Sequence, residues 1–219
     1  MSVISGHTAR YPGCNYPMVG GAVMLGVCDR YVTPAGSKPG DVLILTKGAA
    51  IEAAGLLSRF FRPKVVERFG EGFAKKTDAV FKQMSVVDDA LTAFKAGGVR
   101  AMHDATECGV YGALYEMSEV SKVKFAVDKN AIIVRPEVEK ICWLFQIDPY
   151  TSISEGTLLI SAEKGSVEGI LRALRRKKID ASIIGNVERG SGVMLDGRKL
   201  EHPRVDPFWE ACGGKTIRR

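Results

Sequence analysis

The chain has 219 residues, of which 46% are hydrophobic and 26% are charged, so it has the composition of an ordinary globular protein that can bury a core. Its 31 basic and 25 acidic residues give a formal net charge of +6, which favours anionic ligands in general. Nucleic acid is an unlikely partner class, because aromatic residues make up only 8% of the chain and no stripe of alternating basic and aromatic residues is visible.

The five cysteines are scattered, form no CxxC pair and show no metal-ligand spacing with the three histidines. An odd, scattered set of cysteines is typical of a reducing compartment. No apolar run reaches the roughly 18 residues of a membrane span, and no charged-then-apolar leader opens the sequence. We therefore expect a cytoplasmic protein with no membrane contact.

Apolar runs and helical periodicity alternate along most of the chain. Residues 1–17 resemble a loop, and the small apolar residues Met18–Val27 indicate a buried or interfacial strand that is suited to dimerisation. Further strands are predicted at 41–46, 99–102, 124–127, 157–161 and 181–187, with a hairpin at 193–200; helices are predicted at 50–61, in part of 62–84, and at 86–96, 110–120, 136–145 and 166–177. The order indicates an α+β fold with interleaved α/β units, and little periodicity follows Pro203.

The most informative stretch is Met102–Met117, where a strand end, a polar turn and a helix start follow one another. Backbone N–H groups at a helix start attract anions, and glycine lets a phosphate approach the backbone closely. Asp104 or Glu107 offers the oxygen ligands that Mg²⁺ prefers. In the alternative interpretation, Asp104 or Thr106 only caps the helix and the glycines only permit close packing.

Other positions are more ambiguous. Lys47 follows a core strand and precedes Gly48 and a helix start, which suits a phosphate ligand, although a lone lysine is more often a surface charge. The Cys108 thiol lies at a helix start, where a lowered pKa is possible, but a packing role is favoured because no base is adjacent. Asp88 and Asp89 lie within a helix and are predicted to form a solvated pair.

Five fragments carry a family resemblance, and they occur in one order along residues 5–190. They are Gly6-His7-Thr8, Lys38–Gly48, His103–Glu107, Glu155–Ile160 and Ile184–Val187. Together they resemble the superfamily that contains aminoimidazole ribonucleotide (AIR) synthetase, formylglycinamidine ribonucleotide synthetase, selenophosphate synthetase, thiamine-monophosphate kinase and the hydrogenase maturation protein that dehydrates a thiocarboxamide. The likeness concerns mainly the C-terminal domain of that superfamily.

The resemblance implies a two-domain protomer. An N-terminal α/β domain builds a barrel across a dimer interface and carries most of the ATP and Mg²⁺ ligands, while a C-terminal α+β domain, loosely ferredoxin-like in its layers, closes the cleft. The shared chemistry is transfer of the γ-phosphoryl group of ATP, often to an amide or thioamide oxygen, as in the hydrogenase maturation and purine biosynthesis members. This agrees with an anion-holding turn, because phosphoryl transfer depends mainly on positioning and on neutralising charge.

The resemblance also assigns residues. His103 and Glu107 are expected to act on the substrate, which is a small molecule or a peptide amide. The residues expected to bind ATP are Lys47, Gly48, Asp104, Thr106, Gly109, His7 and Thr8, with Asp104 also holding Mg²⁺. Two departures stand out: the acidic Asp-Asp segment that holds magnesium-ATP in the family is missing, and Cys108 occupies a position where the family often has glycine.

Only six residues precede His7, where the family has a whole domain. We therefore expect residues 1–35 to be a remnant of the N-terminal domain, residues 36–200 to be the C-terminal domain and residues 201–219 to be a tail. ATP and Mg²⁺ would then bind only with a partner, which is either a second copy in a homodimer or a chain that supplies the N-terminal domain. The alternative is a binding or assembly module that keeps the fold without catalysis.

Overall fold

The computed structural model describes residues 25–213. The chain divides into two units, and the first ends at Tyr31. Residues 25–31 form no helix or strand, and the Leu25 and Val27 side chains are exposed. The strand predicted at Met18–Val27 lies outside the described residues except for its last three positions, which are not in a strand. The second unit begins at Val32.

One seven-stranded sheet forms the centre of this unit. Its strands are β1 (Val42–Thr46), β2 (Val99–Asp104), β3 (Lys124–Val127), β4 (Leu158–Ala162), β5 (Ala181–Glu188), β6 (Gly192–Leu195) and β7 (Arg198–Leu200). Their order across the sheet is β2-β4-β1-β5-β3-β6-β7. Neighbouring strands are antiparallel except for β3 and β6, which are parallel.

Eight helices accompany the sheet within the described part of the chain. They are α1 (Ile51–Phe60), α2 (Arg62–Phe69), α3 (Glu71–Phe81), α4 (Val87–Ala96), α5 (Gly109–Ser121), α6 (Pro136–Phe145), α7 (Val167–Arg176) and α8 (Pro207–Cys212). None of these helices is long and apolar enough to cross a membrane.

Alternation along β1 shows how the layers form, because successive side chains of a strand point to opposite faces of the sheet. Leu43 and Leu45 are buried with the apolar face of α5 on one side. Val42 and Ile44 are buried with α4 and α7 on the other side. A third apolar cluster joins α1, α3, α6 and α8, and its largest side chains include Phe145. The sheet is therefore covered on both faces, and a separate helical layer adjoins it.

The α+β class predicted from the sequence is confirmed. The predicted strands from residue 41 onward are present, and their ends, like those of the predicted helices, differ from the observed ones by at most two residues. The charged segment 62–84 forms the two helices α2 and α3. The helices were predictable because each buries one stripe of its surface, and β1 and β4 were predictable because they are continuous apolar runs that are buried on both faces.

The sequence shows little periodicity after Pro203, yet residues 207–212 of the expected tail form the helix α8. Asp206 caps this helix, because its Oδ1 accepts a hydrogen bond from the Phe208 N–H at 2.9 Å. Phe208 is only 2% exposed and lies in the same apolar cluster as α1 and α6. A six-residue helix is too short to show helical periodicity in a sequence, which explains why it was missed.

Two neighbouring aromatic residues test whether α8 belongs to the folded core. We expect Phe208→Ala to lower the free energy of unfolding by about 3–4 kcal/mol, because it leaves a cavity in a packed cluster. Trp209→Ala is the matched control, since Trp209 is 60% exposed on the same helix and should cost less than about 1 kcal/mol. Urea unfolding of the two variants measures both values. Equal losses would contradict the packing described for α8.

Candidate functional site

Three polar turns meet at one edge of the sheet. Strands β1 and β2 end where β4 begins, since Asp104 pairs with Leu158 and Leu45 pairs with Leu159. The Ala105 N–H donates to the Thr157 carbonyl at 2.9 Å, and the Thr157 hydroxyl donates to the Gly48 carbonyl at 2.6 Å. The antiparallel pairing of β4 with both strands therefore brings together three of the sequence fragments that carry the family resemblance.

A cleft of about 330 Å³ opens beside this edge, between the polar turn after β2 and helices α1 and α8. Its polar lining includes Thr106, Glu107, Glu52 and Glu155, whereas α1 and α8 contribute apolar side chains such as Phe60. No lysine or arginine among the described residues lines the cleft. Of the predicted site residues, Thr106 and Glu107 face the cleft, whereas the other described ones do not line it.

Burial and nearby negative charges raise the pKa values of Glu52 and Glu155. Burial is the main cause at Glu52, with the nearby charge of Glu155 adding to it, although the Glu155 N–H donates to Glu52 Oε2 at 3.0 Å and opposes the pKa increase. The pKa of Glu155 is raised by burial and by the charges of Asp104 and Glu107. Additional negative charge is unfavourable in such a site, so a phosphate would enter together with a cation.

Three backbone donors at the start of α5 are already occupied. The Cys108 N–H donates to Asp206 Oδ2 at 2.8 Å, and the Gly109 N–H donates to the Thr106 carbonyl at 3.0 Å. The Tyr111 N–H donates to the Tyr150 carbonyl at 3.0 Å. A carboxylate suits a helix N-terminus, and Asp206 fills that place here. The sequence alternative in which Asp104 or Thr106 caps α5 is wrong, because neither side chain accepts a hydrogen bond there and Asp206 does.

The backbone conformation at residues 108 and 109 favours glycine in this turn. Cys108 and Gly109 both have left-handed backbone angles, with φ of 58° and 57°. A Cβ on Gly109 would lie 2.4 Å from the Ser152 carbonyl oxygen, so packing of the protein alone requires a glycine there. Burial, followed by the charge of Asp206, raises the pKa of the Cys108 thiol. This agrees with a packing role for Cys108 and opposes an activated thiol.

His103 lies between two carboxylates. Its Nε2 is 2.7 Å from Glu116 Oε2, and its Nδ1 is 3.6 Å from Asp104 Oδ1. Hydrogen bonding to Asp104 and then to Glu116 raises the pKa of His103, and the same contact with His103 lowers the pKa of Asp104. Because a carboxylate lies beside each ring nitrogen, neither nitrogen is free to act as a general base toward a ligand in the cleft. The geometry suits a residue that positions Asp104.

Lys47 is buried, with only 5% of its surface exposed. Its Nζ donates to Asp89 Oδ2 at 3.0 Å, to the Ser85 carbonyl at 2.8 Å and to the Gln83 carbonyl at 3.2 Å. An ammonium group has three hydrogens, and all three are used. The surface charge suggested as an alternative for Lys47 is therefore wrong. The solvated Asp88-Asp89 pair is wrong for Asp89, which is 2% exposed, whereas Asp88 is exposed.

The acidic groups do not form a self-sufficient metal site. Within residues 25–213, no group of three His, Cys, Asp or Glu side chains is arranged to hold a metal ion. Mg²⁺ is usually held by one or two carboxylates together with phosphate oxygens and water. His7 and Thr8 lie outside the described residues.

Comparison with known families identifies the chain. Residues 38–197 match the family described as AIR synthase related protein, C-terminal domain. The chain belongs to this family. The match runs from the turn before β1 to the β6–β7 hairpin, so it includes all three polar turns of the sheet edge.

Several members of this family are similar to the chain. Carbamoyl dehydratase HypE of Escherichia coli is 32% identical over 122 residues, which cover 52% of this chain and 36% of that protein. Its crystal structure aligns with a TM-score of 0.67 over 82% of this chain and 55% of that one, at 25% identity.

Selenide, water dikinase of Methanocaldococcus jannaschii is 30% identical over 206 residues, covering 87% of this chain and 58% of that protein. A structure of HypE in complex with ATP shares the fold, with a TM-score of 0.59, 22% identity, and coverage of 83% of this chain and 56% of that one. The chain thus spans between about a third and three-fifths of the length of these relatives.

The raised pKa of His103 predicts a pH-dependent contribution to stability. A folded-state pKa above the unfolded value means that the contribution is full below the unfolded pKa of 6.5 and is lost as the pH rises through the folded value. We expect His103→Gln to lower the free energy of unfolding by about 1 kcal/mol near pH 6 and by much less near pH 9. Denaturant unfolding at both pH values measures the difference.

Glu119→Gln is the control for His103→Gln, because Glu119 is exposed on α5, the helix that carries Glu116, the partner of His103. It should change stability little at either pH. A His103→Gln loss of the same size at both pH values would show that packing, and not the charge of the imidazole, is responsible.

Proposed function

We propose that this chain supplies the C-terminal half of an ATP-dependent phosphoryl-transfer enzyme, one that activates an amide or thioamide oxygen. The observation that carries the proposal is the single sheet edge where the turns after β1 and β2 and the turn before β4 lie together beside a cleft. Phosphoryl transfer needs positioned polar groups and charge neutralisation more than covalent help from the protein. A rigid edge held by backbone pairing provides that positioning.

The known relatives support the same reaction class. They include a carbamoyl dehydratase and a selenide, water dikinase, and one structure with this fold is a complex with ATP. Because the chain spans only part of these proteins, we assign it half of a site. The nucleotide-binding half would come from a partner that carries the N-terminal domain; the alternative is a site completed by a second copy of this chain in a homodimer.

The cleft suggests how the two halves divide the work. Glu107 and Thr106 face the cleft and are placed to contact the acceptor substrate, a small molecule or a peptide amide. Asp104, held by His103, is the candidate Mg²⁺ ligand of this half. Mg²⁺, when bound, would neutralise the phosphates of ATP, which the acidic cleft otherwise repels. The cationic side chains that the described cleft lacks would come from the other half.

Lys47 and Gly48 have a supporting part in this proposal. The Lys47 ammonium is fully hydrogen-bonded, and the Gly48 carbonyl holds Thr157, so both residues fix the turn that borders the edge. Gly109 likewise permits the close approach of Ser152. These residues would hold the turns of the site in position. Whether they also contact ATP would depend on how the nucleotide-binding domain docks on this chain.

A second candidate function is a non-catalytic binding or assembly module. The occupied donors at the start of α5 and the engaged ammonium of Lys47 favour it, because both features remove groups that would otherwise bind phosphate. This function predicts partner binding without any turnover of ATP.

Release of ADP separates the two functions. The chain is mixed with an AIR synthase-related N-terminal domain, with magnesium-ATP and with carbamoyl- or thiocarboxamide-type acceptors, and ADP is followed by a coupled assay. We expect ADP release that neither domain shows alone, and a loss of about 100-fold in Glu107→Gln if Glu107 acts as an acid or base. Asp104→Asn should instead raise the Mg²⁺ concentration needed for half-maximal rate.

Glu119→Gln on the exposed face of α5 is the matched control and should keep the wild-type rate. Binding of the N-terminal domain without ADP release under any of these conditions would contradict the enzymatic proposal and favour the assembly module. A Glu107→Gln variant with full activity would contradict the role given to the cleft.

A further inference from the structure

A second cavity, of about 340 Å³, lies between the start of α4 and the end of α7, and we call it the α4–α7 cavity. It shares no lining residue with the cleft described above. Lys47 and Asp89 form its buried part, and Lys177 and Lys178 line it directly after α7 ends. It is therefore a separate place at which a ligand can bind.

The α4–α7 cavity attracts anions. Its lining carries five basic side chains and three carboxylates, a net excess of two positive charges: Lys47, Lys82, Arg135, Lys177 and Lys178 against Asp88, Asp89 and Asp180. Lys82, Lys177 and Lys178 are exposed, and their ammonium groups form no ion pair with any residue from 25 to 213. Unpaired ammonium groups around a concave surface raise the local concentration of anions.

One buried atom in this cavity needs a hydrogen-bond donor. Asp89 is 2% exposed, and its Oδ2 accepts from Lys47 Nζ, but its Oδ1 has no hydrogen-bond partner within the described part of the chain. Lys47 cannot supply one, because its other two hydrogens go to the Gln83 and Ser85 carbonyls. A buried acceptor left without a donor is costly, so a ligand that brings a donor is favoured.

The two observations together restrict the chemistry of the ligand. It must carry negative charge for the lysines and also a hydrogen for the carboxylate oxygen of Asp89. We propose that the α4–α7 cavity binds a phosphate that keeps a hydroxyl group, the P–OH donating to Asp89 Oδ1 while the charged oxygens face Lys82, Lys177 and Lys178. The inference goes beyond the function proposed above and does not depend on it.

The same geometry makes the site selective. Sulfate has no hydrogen near neutral pH, so one of its oxygens would lie against the buried carboxylate without a bond and be repelled. Discrimination of this kind arises where a site contains an acceptor that the wrong ligand cannot satisfy. A simple basic patch, by contrast, would bind sulfate and phosphate about equally.

Titration with inorganic phosphate tests the proposal. Amide shifts of the ¹⁵N-labelled full chain are followed by NMR at constant ionic strength, with sulfate as the comparison anion. We expect saturable shifts around Ser85, Asp89 and Lys178 with phosphate, and binding of sulfate at least about tenfold weaker. Glycerol 2-phosphate distinguishes the source of the phosphate: at about pH 8 this monoester has lost its hydroxyl proton, whereas inorganic phosphate still carries one.

Two sets of variants identify the groups involved. Lys177→Gln with Lys178→Gln should weaken phosphate binding about tenfold or more, and the exposed pair Lys75→Gln with Lys76→Gln on α3 controls for the change in net charge. Asp89→Asn should reverse the preference toward sulfate, because an amide N–H can donate to it. The lysine variants keep the test decisive if Asp89→Asn fails to fold.

The outcomes separate clearly. Preference for inorganic phosphate over both sulfate and the monoester at about pH 8 supports a free-phosphate site, and equal binding of the monoester near pH 6 extends it to phosphate esters. Equal affinity for phosphate and sulfate would overturn the proposal and leave only a basic patch. Absence of saturable shifts would overturn it as well and assign the donor at Asp89 to water.

Discussion

Most of the site depends on the contacts that the turn after β1 makes with other segments. Lys47 and Asp89 form a buried ion pair that joins the end of β1 to the first turn of α4. The Lys47 carbonyl accepts from Arg135 Nε at 2.9 Å, and the Gly48 carbonyl accepts from Thr157, so the same turn joins α6 and β4. Removing one partner of a buried pair leaves an uncompensated charge and costs on the order of 3–5 kcal/mol. The cleft and the α4–α7 cavity adjoin segments held by this turn.

Electrostatics divides the described surface into two regions of opposite character. The cleft beside Glu107 and Glu155 is acidic, and burial together with nearby negative charges raises the pKa values of Glu52 and Glu155. The α4–α7 cavity carries an excess of positive charge. Although the chain has a net charge of +6, the acidic cleft is poorly suited to bind a polyphosphate without a metal ion. The proposed half-site therefore needs both Mg²⁺ and cationic groups from another domain.

Apolar runs and helical periodicity in the sequence were enough to predict the strands, the main helices and their order along the chain, because the helices bury one stripe and the central strands are buried throughout. The family resemblance, based on short fragments such as His103–Glu107, was confirmed by the family match. What remained hidden were contacts between distant residues. Asp206 at the start of α5 and Asp89 beside Lys47 lie 98 and 42 positions away from their partners, and no local pattern indicates such pairs.

The helix α8 shows a second reason for incomplete prediction. Its six residues are too few to display a period, yet Phe208 is buried in the core. Asp206 accepts a hydrogen bond at the start of α5, where the sequence predicted a phosphate. The acidic character of the cleft was likewise not visible, since Glu52, Glu107 and Glu155 come from three separate segments. The one local signal for this short helix is Asp206-Pro207, an N-cap residue followed by proline at the first helical position.

The central claim is that the sheet edge beside Asp104 and Glu107 faces the metal-bound phosphates of ATP. Paramagnetic broadening by Mn²⁺-ATP tests it most directly, in the complex of the ¹⁵N-labelled chain with an AIR synthase-related N-terminal domain. The account predicts strong broadening of the amide signals of Thr106, Glu107 and Glu155, and little at the β6–β7 hairpin. Broadening confined to the hairpin or to other surfaces, with the edge unaffected, would contradict it.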